Sequence, residues 1–171
     1  GNLLAGLAVV WEGRLKAGEW VRVGDVVGEV VAPGWRSVVL RTTLHELVVI
    51  PNSKMTEERV TLLGDGTRPV GVEIALSASY DAPPDRVHRV LLEAVRDVPG
   101  VEVAPAPMVL TQDLADNGIV YAVRVWSRHA FSDTRLRSEV LSRAYSALGR
   151  AGILKGVRGP LSIKAQRDGQ F

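Results

Sequence analysis

Hydrophobic and polar positions divide the chain into three stretches with different periods. In the first, Asn2 to Trp11, no polar side chain follows Asn2. A surface helix would show a polar stripe, and none is met before Glu12. Ten residues of helix reach only ~15 Å, about half the thickness of a bilayer core. The run lacks the basic flank and small-residue cleavage site of a secretory signal. It reads as the end of something longer on its N-terminal side, or else as a short buried core helix.

The second stretch is valine-rich and cut by glycine. Glu19–Val23, Val26–Val31, Trp35–Thr42, Glu46–Ile50 and Arg59–Leu63 are strand candidates separated by turn residues such as Gly24-Asp25 and Pro33-Gly34. Five short strands in about 45 residues predict a small, strongly curved antiparallel sheet or barrel. Asn52 follows Pro51 and can close a turn through its side chain. Glu57-Glu58 reads as a solvated loop. Gly64-Asp65-Gly66-Thr67-Arg68-Pro69 has no apolar residue and marks a domain boundary. Its Gly-x-Gly lacks the third glycine or the Lys-Ser/Thr of a phosphate loop.

The third stretch alternates between periods of two and 3.6. Val70, Val72, Ile74, Leu76 and Ala78 form one face of a strand. Pro83-Pro84 opens a helix whose apolar positions are Val87, Val90, Leu91, Ala94, Val95 and Val98, with His88 expected in solvent. Met108–Leu114 and Ile119–Ser127 are strands joined by the hairpin signal Asn117-Gly118. Ser132 and Asp133 can cap a second helix with a core stripe of Leu136, Val140, Leu141, Ala144, Tyr145 and Leu148. Leu161, Ile163 and Ala165 make a last short strand. The order β-α-β-β-α-β is the ferredoxin-like split βαβ arrangement, so the fold class is α+β.

Composition then narrows the chemistry. With no cysteine among 171 residues, disulfide scaffolds, Cys-ligated zinc and thiol catalysis are excluded. His45, His88 and His129 are widely spaced, with no metal-binding pair on one helix turn and no Gly-x-Ser-x-Gly elbow elsewhere. The chain is therefore read as a non-enzyme without cofactor or metal. The net charge of +2 conceals an asymmetry: residues 1–123 hold 11 basic and 16 acidic side chains, residues 124–171 hold 10 basic and 3 acidic. The basic third could attract anions, or Arg135, Arg137, Arg143 and Arg150 could simply solvate one helix face.

Asn2-Leu3-Leu4-Ala5-Gly6, Lys16-Ala17-Gly18-Glu19-Trp20-Val21, the Gly24–Val30 turn region, Arg41-Thr42 and Val48-Val49-Ile50-Pro51-Asn52-Ser53-Lys54 follow one another in an order that resembles the small-conductance mechanosensitive channel family. There, an N-L-x-x-G pore helix runs into an A-G-[ED]-x-[VI] strand, and a V-I-P-N stretch follows. Tyr80-Asp81 and Arg124-Val125-Trp126 agree in the second half, so the resemblance covers essentially the whole chain. It departs at Glu12-Gly13-Arg14-Leu15, where the family has an Arg-Pro-Phe-like stop. It departs again at Thr43-Leu44-His45-Glu46, where the family has an Asp-Gly turn.

The resemblance implies residues 1–16 as the second half of a pore-lining helix, 17–63 as an Sm-like β domain, 64–69 as a linker and 70–171 as a ferredoxin-like cytoplasmic domain. It implies Asn2, Gly6, Leu7 and Trp11 as hinge and packing residues of the pore helix, with Gly6 at a kink. It implies a homo-oligomeric ring of about seven subunits. Membrane helices upstream would meet the lipid of a bacterial inner membrane, and ions would pass a cytoplasmic vestibule when tension opens the pore. Arg124, Arg128 and Arg135 are then candidates for vestibule charge that favours anions.

Two competing classes are a nucleic-acid-binding module and a regulatory domain for a small anion. The first is weakened by the central strand, where Tyr121, Val123 and Val125 share one face and only Arg124 and Trp126 the other. Nucleic acid is accordingly not expected as a partner.

Overall fold

Paired glycine turns and alternating valines build the first of two units, seen in a computed structural model that describes Gly13 and residues 15–153. β1 (Trp20–Val23) and β2 (Val26–Pro33) pair antiparallel with Val23 opposite Val26, so Gly24-Asp25 is a two-residue hairpin. Gly24 has φ +58°, the left-handed geometry that such a hairpin requires and that costs glycine nothing. β3 (Ser37–Arg41), β4 (Leu47–Pro51) and β5 (Val60–Gly64) complete a five-stranded antiparallel sheet in the order β4-β3-β2-β1-β5.

Alternation selects the core. Val21, Val23, Val30, Val38 and Leu40 point to one face and are buried with Leu15 and Met55. A bulge between Val30 and Ala32 breaks the alternation, so that Val31 and Ala32 are both exposed. The stretch expected as a loop after Pro51 is instead a short helix, α1 (Asn52–Glu57), which plugs Met55 into that core. Glu57 and Glu58 are exposed, but Glu57 ends a helix.

The second unit is built from β6 (Val70–Ala78), α2 (Pro84–Val95), β7 (Met108–Ala115), β8 (Gly118–Ser127) and α3 (Thr134–Arg150). The chain divides so that Val70 and Arg128–Thr134 group with the first unit, and Gly71–Ser127 with the residues from Arg135 form the second. Its sheet has the order β6-β8-β7. Gly71 lies beside Trp126 and Gly118 beside Ala78, so β6 and β8 run antiparallel.

Val72, Ile74 and Leu76 from β6, with Tyr121, Val123 and Val125 from β8, make the buried face. Val87, Leu91 and Val95 of α2 and Leu136, Val140, Ala144 and Leu148 of α3 are buried with them in this unit. Tyr145, expected in the α3 stripe, is 52% exposed; Ala147 is buried instead, because the stripe advances three and four residues at a time and passes Tyr145 by. The N-terminal helix and the strand at Leu161–Ala165 expected from the sequence lie outside the described residues. Among the described residues no helix is long and apolar enough to cross a membrane.

Candidate functional site

Asn2, Gly6, Leu7 and Trp11 lie outside the described residues. The three candidate arginines stand in three different local settings. Arg124 projects from the face of β8 opposite the core, where Glu73 of β6 also projects, and its Nε donates to Glu73 Oε2 at 2.5 Å. The strand register produces this pair: residues 51 apart in sequence become cross-strand neighbours. Both side chains are partly solvated, which holds the pair to about 0–1 kcal/mol of stability. Its local effect is that Arg124 carries its charge beside an equal and opposite one.

Arg128 belongs to the first unit, where its Nη1 donates to the carbonyl of Thr67. Arg135 stands exposed in the first turn of α3, which contains no acidic residue. A cation there meets the positive end of the helix dipole and is not stabilised by it.

Arg137, read from the sequence as a candidate solvated residue, is half-buried, and its Nη1 donates to the Glu73 carbonyl at 3.2 Å. Arg143 likewise bonds Glu139 and the Asp97 carbonyl. Two of the four helix arginines thus tie α3 to other segments of its unit. Their spacing along the helix could not have revealed this, because both carbonyl acceptors belong to distant segments.

His88 also departs from expectation. It is half-buried, hydrogen-bonds Thr111 Oγ1 through Nε2 at 2.9 Å, and stands edge-on to Tyr121 with ring centroids 5.6 Å apart. The Tyr121 hydroxyl is buried with no hydrogen-bond partner among the described residues, and desolvation raises its pKa above the usual 10.0. With Tyr121 inside the core, β8 offers no aromatic stacking platform for bases.

The first unit holds a cleft of about 210 Å³ lined by Trp20, Glu29, Asp65, Arg128, His129 and Phe131, among others. Asp65 is held below the usual carboxylate range by hydrogen bonds from the Thr67 hydroxyl and amide. Both signs of charge line the cleft. Among the described residues no group of three His, Cys, Asp or Glu side chains could hold a metal ion.

A larger feature of this unit is apolar and outward-facing. On β4, Val48 and Ile50 pack against the core while Leu47 and Val49 point away and are 64% and 61% exposed. Val49 lies opposite Val39 on β3, so the outward face continues across two strands. Exposed apolar surface on a sheet edge is unusual for a chain that stays alone.

Comparison with known proteins agrees with this picture over both units. Residues 1–61 match the family described as the mechanosensitive ion channel β-domain, and residues 70–154 match the C-terminal region of the MscS mechanosensitive ion channels. The chain is 24% identical over 139 residues to the miniconductance mechanosensitive channel MscM of Escherichia coli, a match that spans 81% of this chain and 13% of that protein. It is 28% identical over 131 residues to the mechanosensitive channel MscK of the same organism, across 75% of this chain and 11% of that one. It thus spans a minor part of the length of these relatives. The crystal structure of Helicobacter pylori MscS in its closed state superposes with a TM-score of 0.76 at 19% identity, covering 96% of this chain and 65% of that one.

Proposed function

Because the chain belongs to the mechanosensitive ion channel family, we propose that it forms the wall of an oligomeric vestibule on the cytoplasmic side of a bacterial inner membrane, through which ions pass when membrane tension opens the pore. The observation that carries this reading is that the two family regions follow one another along one chain, at 1–61 and 70–154. In this reading residues 1–16 are the second half of a pore-lining helix, with Asn2, Gly6, Leu7 and Trp11 in its bend and packing. Residues 17–63 are the Sm-like β domain, 64–69 the linker and 70–171 the ferredoxin-like domain.

The sheet orders support the assignment. In the first unit β5 returns beside β1 after a meander, with α1 between β4 and β5. In the second, the third strand is central, leaving the edge of β6 for the strand expected at Leu161–Ala165. A homo-oligomer of about seven copies gives the outward face of Leu47 and Val49 a partner. Vestibule charge would come from Arg124, Arg128 and Arg135, with Arg124 carrying its charge as half of an ion pair with Glu73.

The test is the mass of the chain in mild detergent. A ring of about seven is expected for the wild type. L47E V49E should shift the mass toward monomer while leaving the circular dichroism unchanged, since both side chains are already in solvent. A wild-type monomer at high concentration would count against the reading.

A further inference from the structure

The tip between β2 and β3, Pro33-Gly34-Trp35-Arg36, presents its largest side chain to solvent: Trp35 is 57% exposed. The Arg36 guanidinium stands over the indole, 4.7 Å from the ring centroid. The tip is stiff. Gly34 N–H donates to the Ser37 carbonyl at 2.9 Å, the Asn52 backbone N–H donates to the Arg36 carbonyl at 3.0 Å, and Asn52 Nδ2 donates to the Gly34 carbonyl at 3.1 Å.

Asn52 is only 2% exposed, so the turn is bolted to the buried start of α1. A Cβ at Gly34 would come within 2.7 Å of the Ser37 carbonyl oxygen, so the tight turn also depends on glycine. The display of Trp35 is therefore held by the fold. The sequence around it is one-sided in charge. Residues 30–45 contain Arg36 and Arg41 and no Asp or Glu, and the flanking Glu29 is paired with Arg41 at 2.9 Å. Val31 and Ala32, both exposed, extend the apolar side of the tip.

We propose that this hairpin tip docks on the headgroup layer of an anionic phospholipid membrane, with the Trp35 indole at the polar–apolar boundary and Arg36 donating to lipid phosphate. An indole offers an apolar body and one N–H donor, which suits that boundary. A guanidinium stacked on a ring face keeps its N–H edge available for phosphate oxygens. An acidic protein partner would satisfy Arg36 but would need a dedicated pocket for the projecting indole, whereas a headgroup layer accommodates both groups without one. The inference rests on the channel reading, which puts this unit beside a bilayer.

The test uses the 171-residue chain and two sets of vesicles, phosphatidylcholine alone and phosphatidylcholine with about a third phosphatidylglycerol. Sedimentation should show W35A and R36E binding the anionic vesicles at least about fivefold more weakly than wild type. R89E, a charge-matched change on the exposed side of α2, should bind as wild type does. Brominated lipid should quench wild-type tryptophan fluorescence by more than it quenches W35F.

Equal binding by all variants, an equal loss in R89E and R36E, or identical quenching in wild type and W35F would each overturn the proposal. Masses from the same samples separate it from the reading it rests on. An oligomeric ring with unchanged vesicle binding overturns the hairpin contact alone. A monomer whose binding still collapses in W35A and R36E supports the contact and counts against the channel assignment.

Discussion

Gly118→Ala perturbs a position where two physical demands coincide. The first is backbone conformation: Gly118 opens β8 opposite Ala115, directly after the two-residue Asp116-Asn117 turn, at φ +141°, where an L side chain is strained by about 1–3 kcal/mol. The second is space. A Cβ at Gly118 would lie 2.4 Å from the Ala78 carbonyl oxygen on the neighbouring strand, a backbone atom that cannot rotate away. Forcing β6 and β8 apart there adds an overpacking cost of about 1–3 kcal/mol.

The control is Gly18→Ala, at φ +89° with nothing within 4 Å of the added carbon, which should cost only about 1–2 kcal/mol. Urea unfolding followed by circular dichroism gives the overall loss. Hydrogen exchange at the β8 amides confines the readout to the second unit. G118A should lose about 2–6 kcal/mol and its β8 amides should lose protection, while G18A leaves them protected. Losses in the two variants that agree to within about 0.5 kcal/mol, with β8 protection intact in both, would refute the close-approach argument.

Other expectations follow from the same geometry. Tyr121→Phe removes a buried hydroxyl that has no partner among the described residues, so its urea midpoint should stay level or rise by the equivalent of about 1 kcal/mol. The folded-state pKa of Tyr121 is raised above the unfolded value of 10.0. The unfolded chain therefore releases this proton first as pH climbs past about 10, and the stability present below that pH is progressively lost. Y121F should lose less than wild type over that alkaline window in a pH series of urea melts. On the proposed channel reading, R124Q leaves Glu73 uncompensated and should shift the reversal potential in a salt gradient toward cations. E73Q R124Q should restore it, and R124Q itself should cost no more than about 1 kcal/mol.

The elements were legible where the period was sustained. Val70–Ala78 coincides with the alternating run, and the hairpin turn falls one residue before its expected place: Asp116-Asn117 make the β7–β8 turn while Gly118 pairs with Ala115 inside β8. The stripe from Val87 to Val95 emerged as the buried side of α2. α1 was not legible, because six residues with Met55 as their one large apolar side chain display no period; its helix is stabilised by burying that methionine in a sheet core. On the helical wheel His88 falls near Leu91 and Val95, beside the buried stripe. Its contact with Thr111 depends on where β7 lies, which helix spacing does not contain. The basic bias of the last third was visible as a count. That count could not show that Arg124 meets Glu73, or that Arg137 and Arg143 cap distant carbonyls.

From its sequence alone this chain determined the kinds of element, their order and the motif series that resembles mechanosensitive channels. These features depend on neighbours a few residues apart, through turn chemistry and side-chain period. The tertiary structure decided which strands became neighbours. That set which charges are cancelled, which glycine faces a carbonyl, and that a tryptophan and an arginine are held outward at a rigid tip. Such outcomes belong to register and closure, where residues 18 to 64 positions apart are brought within hydrogen-bonding distance.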